Sequence, residues 1–163
     1  MESEYVRELA PLDFIKQICV MPDCQHLLVD GFNLIHAVPE WKRWLKSQPD
    51  RARELVADWV RVIHDVDGVR TTIVFDGRGP ELSVERPFKE MTFSYLFTPD
   101  GVTADTVIEQ LAGKAEEPDK LVVASDDRVL QHTALAIGAQ VMGKIELESW
   151  VESCERRLRR HLI

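Results

Sequence analysis

Apolar and polar positions along this chain follow two periods. His26 to Asp30 reads HLLVD, an apolar run stopped by Gly31, and predicts a buried strand. Thr71 to Phe75, TTIVF, ends at Asp76-Gly77, and Leu121 to Ala124, LVVA, ends at Ser125-Asp126-Asp127. Residues 91–97, MTFSYLF, predict another strand before the turn Pro99-Asp100-Gly101, and 139–142 a short last one. Between these runs the period becomes helical. Leu55, Val56, Trp59, Val60, Ile63 and Val66 predict a helix over 50–66 that Gly68 ends. Thr103 caps a predicted helix whose inner face is Ala104, Val107, Ile108, Leu111 and Ala112. Further helices are expected from about Asp127 to Ile137 and from about Glu146 onward, the last burying Trp150, Val151, Cys154, Leu158 and Leu162. Leu34 to Leu45 predicts short helical turns interrupted by Pro39, and residues 4–18 a helix broken at Pro11.

Strands that alternate with helices build an α/β sheet of mostly parallel strands covered on both faces. In such sheets ligands gather beyond the carboxyl ends of the strands. Three strands end there in an acid: Asp30, Asp76 and Asp126. Asp105 opens a helix from a loop reaching the same edge, and Asp127 adjoins Asp126. Carboxylates so gathered repel and raise one another's pKa unless a cation intervenes. Hard divalent ions suit oxygen ligands, so Mg²⁺ or Mn²⁺ is the expected cofactor. Any one of these acids alone reads equally well as a helix cap or turn residue, Asp76 in DGRGP most of all, and Asp127 as a first-turn acid facing a helix dipole. Asn33 is placed to orient Asp30, to hold a water, or to cap the turn after it. Ser125 is placed to bond a carboxylate or cap its helix.

Composition narrows the class. The chain has 163 residues, 45% apolar and 29% charged, which suits one globular domain. Its net charge of −8 excludes a polycation that coats nucleic acid indiscriminately. No apolar run approaches the ~20 residues of a membrane span. Three cysteines and an acidic start without a signal-like apolar stretch lead us to expect a cytoplasmic protein with reduced thiols. Cys19, Cys24 and His26 offer only half of a zinc site. The chain carries no G-x-G-x-x-G after a strand, no P-loop and no D-x-D phosphotransferase loop.

VDGFNLIHA at 29–37, VFDGRG at 74–79, FTPDGVTADTVIEQLA at 97–112 and VVASDDRVLQ at 122–131 resemble the YacP-like branch of the NYN domain family, among the PIN-like nucleases. The match runs in order over about residues 26–150. It implies a three-layer α/β/α PIN-like fold around a central, mostly parallel sheet, and metal-dependent cleavage of RNA to a 5′-phosphate and a 3′-hydroxyl. The family's catalytic and metal-binding acids match Asp30, Asp105 and Asp126. Asn33 and Asp76 match its supporting positions, with Ser125 and Asp127 beside them. Some members of the branch act on ribosome-associated messenger RNA, so RNA and the ribosome are the implied partners. The family pattern leaves residues 1–25 as an N-terminal extension and 26–163 as the nuclease domain.

An acidic site that cuts RNA needs cations to hold the flanking phosphates. Arg78, in the loop after Asp76, is the first candidate, followed by Arg128, Lys42 and Arg43. Lys46, Arg51, Arg53, Arg86 and Lys89 are further ones, and Arg156, Arg157, Arg159 and Arg160 charge the last helix. Phe32 is placed to stack on a base, as are Trp41 and Trp44, whose spacing suits core packing equally. Two other classes fit less well: a non-catalytic RNA- or ribosome-binding module of the same fold, and a metal-dependent phosphatase or DNA nuclease.

Overall fold

A computed structural model describes residues 23–77 and 79–162. Most of the expected extension, with Cys19 in it, and Arg78 lie outside the described residues. The central strand β1 (His26–Asp30) is followed by three short helices, α1 (Gly31–Ala37), α2 (Pro39–Lys42) and α3 (Trp44–Ser47), then by the long helix α4 (Pro49–Asp67). Next come β2 (Arg70–Phe75), β3 (Ser83–Glu85), β4 (Phe93–Phe97) and α5 (Ala104–Lys114). The chain closes with β5 (Leu121–Ala124), α6 (Arg128–Ile137), β6 (Gln140–Met142) and α7 (Lys144–His161).

The six strands lie in the order β3-β4-β2-β1-β5-β6. β1 pairs in parallel with β2 through Leu28↔Thr72 and with β5 through Leu28↔Val123. β3 alone is antiparallel, on β4. The residue pattern does not predict β3, and the structure supplies the reason: all three of its residues are exposed, so no apolar run marks it.

Alternation along the strands sends side chains into two cores. Leu27 and Val29 face α1, α4 and α7, and pack with Val56, Val60, Ile63, Leu147 and Trp150. Leu28 faces α5 and α6, and packs with Val107, Ile108, Leu130 and Ala134. This is the expected three-layer arrangement. Gly68 ends α4 with φ 65°, a left-handed residue that suits glycine. Thr103 caps α5 by accepting from Thr106 N. The last helix begins earlier than its pattern suggests, at Lys144. Its buried face stops at Cys154, leaving Leu158 and Leu162 exposed, because α4 ends opposite Cys154 and Arg157.

That end is pinned by one carboxylate. Asp67, in the last turn of α4, accepts from Trp150 Nε1 at 2.6 Å and from Cys154 Sγ at 3.4 Å, and takes a forked pair from Arg157 at 2.6 and 3.1 Å. Burial alone would raise the Asp67 pKa, but these donors outweigh it and hold the carboxyl below its ordinary value. Arg157 therefore serves the fold. Cys24 and His26 are likewise occupied: the buried Cys24 thiol, pushed up to about 12 by burial, donates to His26 O, and His26 Nε2 bonds Thr72 Oγ1 at 2.9 Å.

A lowered carboxylate pKa stabilises the folded state above the unfolded value, and that contribution is lost as pH falls through the folded one. Asp67→Asn should cost about 1.5–3 kcal/mol at neutral pH, the range for hydrogen bonds to a charged group. It should also flatten the acid limb of stability below about pH 4. Urea denaturation of both proteins across that range measures it, and parallel curves would remove Asp67 as the clamp.

Candidate active site

In the sheet order the chain runs from β1 outward through β2 and β4, then returns to place β5 on the other flank of β1. The crevice between the carboxyl ends of β1 and β5 is thus the topological switch point, where open α/β sheets bind ligands. Asp30 stands there as the last residue of β1, and Ser125, Asp126 and Asp127 follow β5.

Asp30 is 5% exposed. Ser125 Oγ donates to its Oδ2 at 2.9 Å, and Asp127 N in turn donates to Ser125 Oγ at 3.1 Å. Burial pushes the Asp30 pKa up to about 6. The Ser125 hydroxyl and the nearby Asn33 N–H oppose that rise, while the charges of Asp105 and Asp76 add to it. Asp105, in the first turn of α5, is also raised. Burial leads, followed by the adjacent Asp127, then by the charges of Asp76 and Glu109. Among the described residues, no ion pair reaches Asp30, Asp76, Asp105 or Asp127.

The surrounding acids and amides hold the loops. Asp76 Oδ1 accepts from Ala104 N at 2.8 Å, tying the end of β2 to the start of α5, one residue before Asp105. Asn33 Oδ1 accepts from Asp126 N at 2.9 Å and so joins the loops after β1 and β5. Asp127 Oδ1 caps α6 through Val129 N and Leu130 N. Asp126 turns to a different task. Its Oδ1 accepts from Lys144 N at 3.0 Å, at the start of α7. The N-cap there is Gly143, whose missing side chain Asp126 replaces; a Cβ on Gly143 would sit 2.5 Å from that oxygen. The sequence brackets Asp126 with Asp30 and Asp105, and the charge of the adjacent Asp127 bears on Asp105.

Two other glycines serve close approach. A Cβ on Gly31 would enter the Phe75 ring, and one on Gly77 would strike Thr98 O. The D-G pairs after β1 and β2 therefore combine an acid with a backbone that must pass close to a neighbour.

Of the expected RNA-contacting side chains, Arg128 is exposed at the start of α6, directly after Asp127. Lys42 and Arg43 are exposed at the end of α2, the Arg43 guanidinium lying 5.4 Å from the Trp44 ring. Phe32 packs edge-on against Phe75, with ring centres 5.3 Å apart. Trp41 packs against Trp59 in the same manner. Arg53, one of several cations in the sequence with nothing local to single it out, lies over the Phe97 ring at 5.5 Å, beside Asp76 and Gly77.

The sequence reading passes over one more cluster. His64, Asp65 and Glu90 bring ligand atoms within 4.8 Å of one another, the tightest possible metal set among the described residues. It sits at the amino end of β2 and β4, the far side of the sheet from Asp30. Arg61 already pairs with Asp65 and with Glu90, both at 3.4 Å, and His64 Nε2 bonds Thr92 Oγ1 at 2.8 Å. Its two carboxylates thus share one guanidinium, whereas no ion pair reaches Asp30, Asp76, Asp105 or Asp127 among the described residues.

The family model described as the YacP-like NYN domain matches residues 27–163. The chain belongs to the YacP-like NYN domain family. Uncharacterized protein YacP of Bacillus subtilis (strain 168) is 30% identical to it over 137 residues, 83% of this chain and 80% of that protein. The crystal structure of Rae1 (YacP) from Bacillus subtilis superposes with a TM-score of 0.66 at 31% identity, covering 83% of this chain and 78% of that one. Its W164L mutant gives a TM-score of 0.68 at 29% identity, over 83% and 80% of the two chains. Membership in this NYN family places the chain in the PIN-like superfamily and supports a nuclease-type function. Such nucleases usually use a divalent metal; among the described residues the group whose ligand atoms lie within 4.8 Å of one another is His64, Asp65 and Glu90, and the acids around Asp30 are not drawn together to that degree. No helix among the described residues is long and apolar enough to cross a membrane.

A carboxylate with a raised pKa binds its proton more tightly folded than unfolded, so stability falls as pH rises between the two values. For metal-free protein that window runs from about pH 4, the ordinary carboxylate value, to about 6 for Asp30. Asp30→Asn should therefore melt higher than wild type at pH 7 without metal and lose the slope across the window. Asp126→Asn, which still accepts from Lys144 N, should not melt higher. Calorimetry from pH 4 to 7 in EDTA decides, and an Asp30→Asn variant that melts lower than wild type at pH 7 would contradict the electrostatic account.

Proposed function

We propose that this protein is a metal-dependent endoribonuclease that hydrolyses RNA phosphodiester bonds at the switch-point acids. The observation that carries the reading is Asp30: a buried carboxylate at the end of the central strand, raised by burial and by its acidic neighbours, with no cation among the described residues to balance it. A binding module would gain nothing from repelling phosphate in this way. An NYN nuclease that recruits Mg²⁺ or Mn²⁺ would.

Asp30 and Asp105 are the proposed ligands, with Asp127 ahead of Asp126 as the third, because the Asp127 charge bears on Asp105. A divalent ion held there supplies Lewis acidity to the scissile phosphate and makes water a nucleophile at neutral pH. The chain's own residues do the rest. Ser125 fixes Asp30 Oδ2, and Asp76 fixes the turn that presents Asp105. Asn33 and Asp126 keep the loops after β1 and β5 and the start of α7 in one arrangement. Attack in line leaves a 5′-phosphate and a 3′-hydroxyl. Arg128, Lys42 and Arg43 are exposed cations for flanking phosphates, and Arg78, beyond the described residues, is a fourth by its place after Asp76. The proposed partner is RNA, ribosome-associated messages included, and the proposed compartment is the cytoplasm.

The test incubates the protein with structured, unstructured and translated RNAs, with DNA and with a small phosphate ester, in Mn²⁺, Mg²⁺ or EDTA, and maps the new ends. RNA should be cut internally with metal only. Loss of a residue supporting a metal ligand costs ~10–100-fold, so Asp30→Asn and Asp105→Asn should each lose at least about 100-fold. Asp127→Asn should lose more than Asp126→Asn. Cutting that persists in EDTA and in the Asn variants would defeat the assignment.

A further inference from the structure

The last helix carries its apolar face past the element that covers it. Leu147, Val151 and Cys154 of α7 are buried, and steps of four residues continue that face to Leu158 and Leu162. Leu158 is 43% exposed and Leu162, at the helix end, 79%. Around them the helix is cationic. Residues 155–161 hold one acid, Glu155, against Arg156, Arg157, Arg159 and Arg160. Arg157 is engaged by Asp67. Arg156, Arg159 and Arg160 are exposed, and no ion pair among the described residues reaches them.

The chain enters the fold beside this end. Gln25 O accepts from Arg70 N at 3.1 Å, just after Gly68 closes α4. Cys24 is buried in the same core as Trp150 and Cys154, close enough to Asp67 for that carboxylate to act on its thiol. Residues 1–22, outside the described ones, lead to this point. Their sequence sets Tyr5, Val6 and Leu9, then Leu12, Ile15 and Ile18, at helical spacing. It also sets four acids, Glu2, Glu4, Glu8 and Asp13, against Arg7 and Lys16. Apolar positions with net negative charge complement an apolar helix end with net positive charge. The tether is short, since the residues from Cys19 to Pro22 span at most about 13 Å when extended. A face so tethered meets its partner at high effective concentration, which favours the chain's own segment over a second copy.

We propose that residues 4–18 lay their apolar positions on Leu158 and Leu162, with their acids toward Arg156, Arg159 and Arg160, so that the start of the chain covers the end of its last helix. The contact is independent of the chemistry at the carboxyl edge.

Amide hydrogen exchange on the full chain, at two protein concentrations, tests it. Two double variants break the contact from opposite sides: Leu158→Asp with Leu162→Asp, and Leu9→Asp with Ile15→Asp. Burying one leucine is worth at least about tenfold in an equilibrium. In wild type the amides of 4–18 and of 155–161 should both be protected. Each double variant should lose protection in both segments by at least about tenfold, while β1 and residues 144–154 keep theirs. Reciprocal loss is the signature, because damage confined to one helix would not reach the other segment. If the α7 pair also strips protection from β1, that variant has unfolded and the 9/15 pair decides alone. Unprotected 4–18 amides in wild type overturn the proposal, as does a 9/15 pair that leaves 155–161 unchanged. Protection that falls on dilution assigns the face to a second copy instead and overturns it too.

Discussion

The burial of a single carboxylate, Asp30, at the end of the central strand sets the terms for everything on the carboxyl edge. A carboxylate removed from water depends on its donors, and the Ser125 hydroxyl and the Asn33 N–H do not offset the burial of Asp30. Its remaining neighbours make matters worse, because Asp105 and Asp76 add charge of the same sign. The fold tolerates this because stability is generated elsewhere, in two apolar cores and in the Asp67 clamp between α4 and α7. Carboxylates perturbed by burial and by like charges cluster at functional sites.

The loops around Asp30 are held by side chains from other segments rather than by their own backbone ladders. Asn33 reaches the loop after β5, Asp76 reaches the start of α5, and Asp126 reaches the start of α7. Each bond spans two segments that leave the sheet separately, so the carboxyl edge behaves as one stitched rim. Gly31, Gly77 and Gly143 stand where that rim is too close for a side chain. Asp126 thus ties the start of α7 to the loop that begins at Asp30.

Much of this was legible in the residues. The central strands announced themselves as apolar runs because both faces are covered, and three acids at their ends pointed to one edge. Strand β3 was illegible because it is wholly exposed, and Leu158 and Leu162 misled because helical spacing continues past the end of the element they would pack against. The grouping of Arg53, Phe32 and Phe97 beside Asp76 escaped for a different reason. These residues come from α4, α1 and β4, and no local pattern joins them.

The limit is clearest at Asp126 and Asp127, adjacent residues of one type. Sequence makes them interchangeable as candidates; geometry does not. A strand that ends by turning into a helix sends consecutive side chains in divergent directions, one toward the start of α7 and one toward the start of α6. Asp126 meets a glycine N-cap that lacks an acceptor, and supplies it. Asp127 meets its own helix and the Asp105 carboxyl together. A cap is satisfied by any short acceptor, whereas repulsion between two carboxyls is relieved only by a proton or a cation. Asp126 is thus engaged by the start of α7, while Asp127 divides between its helix cap and the charge it presents to Asp105.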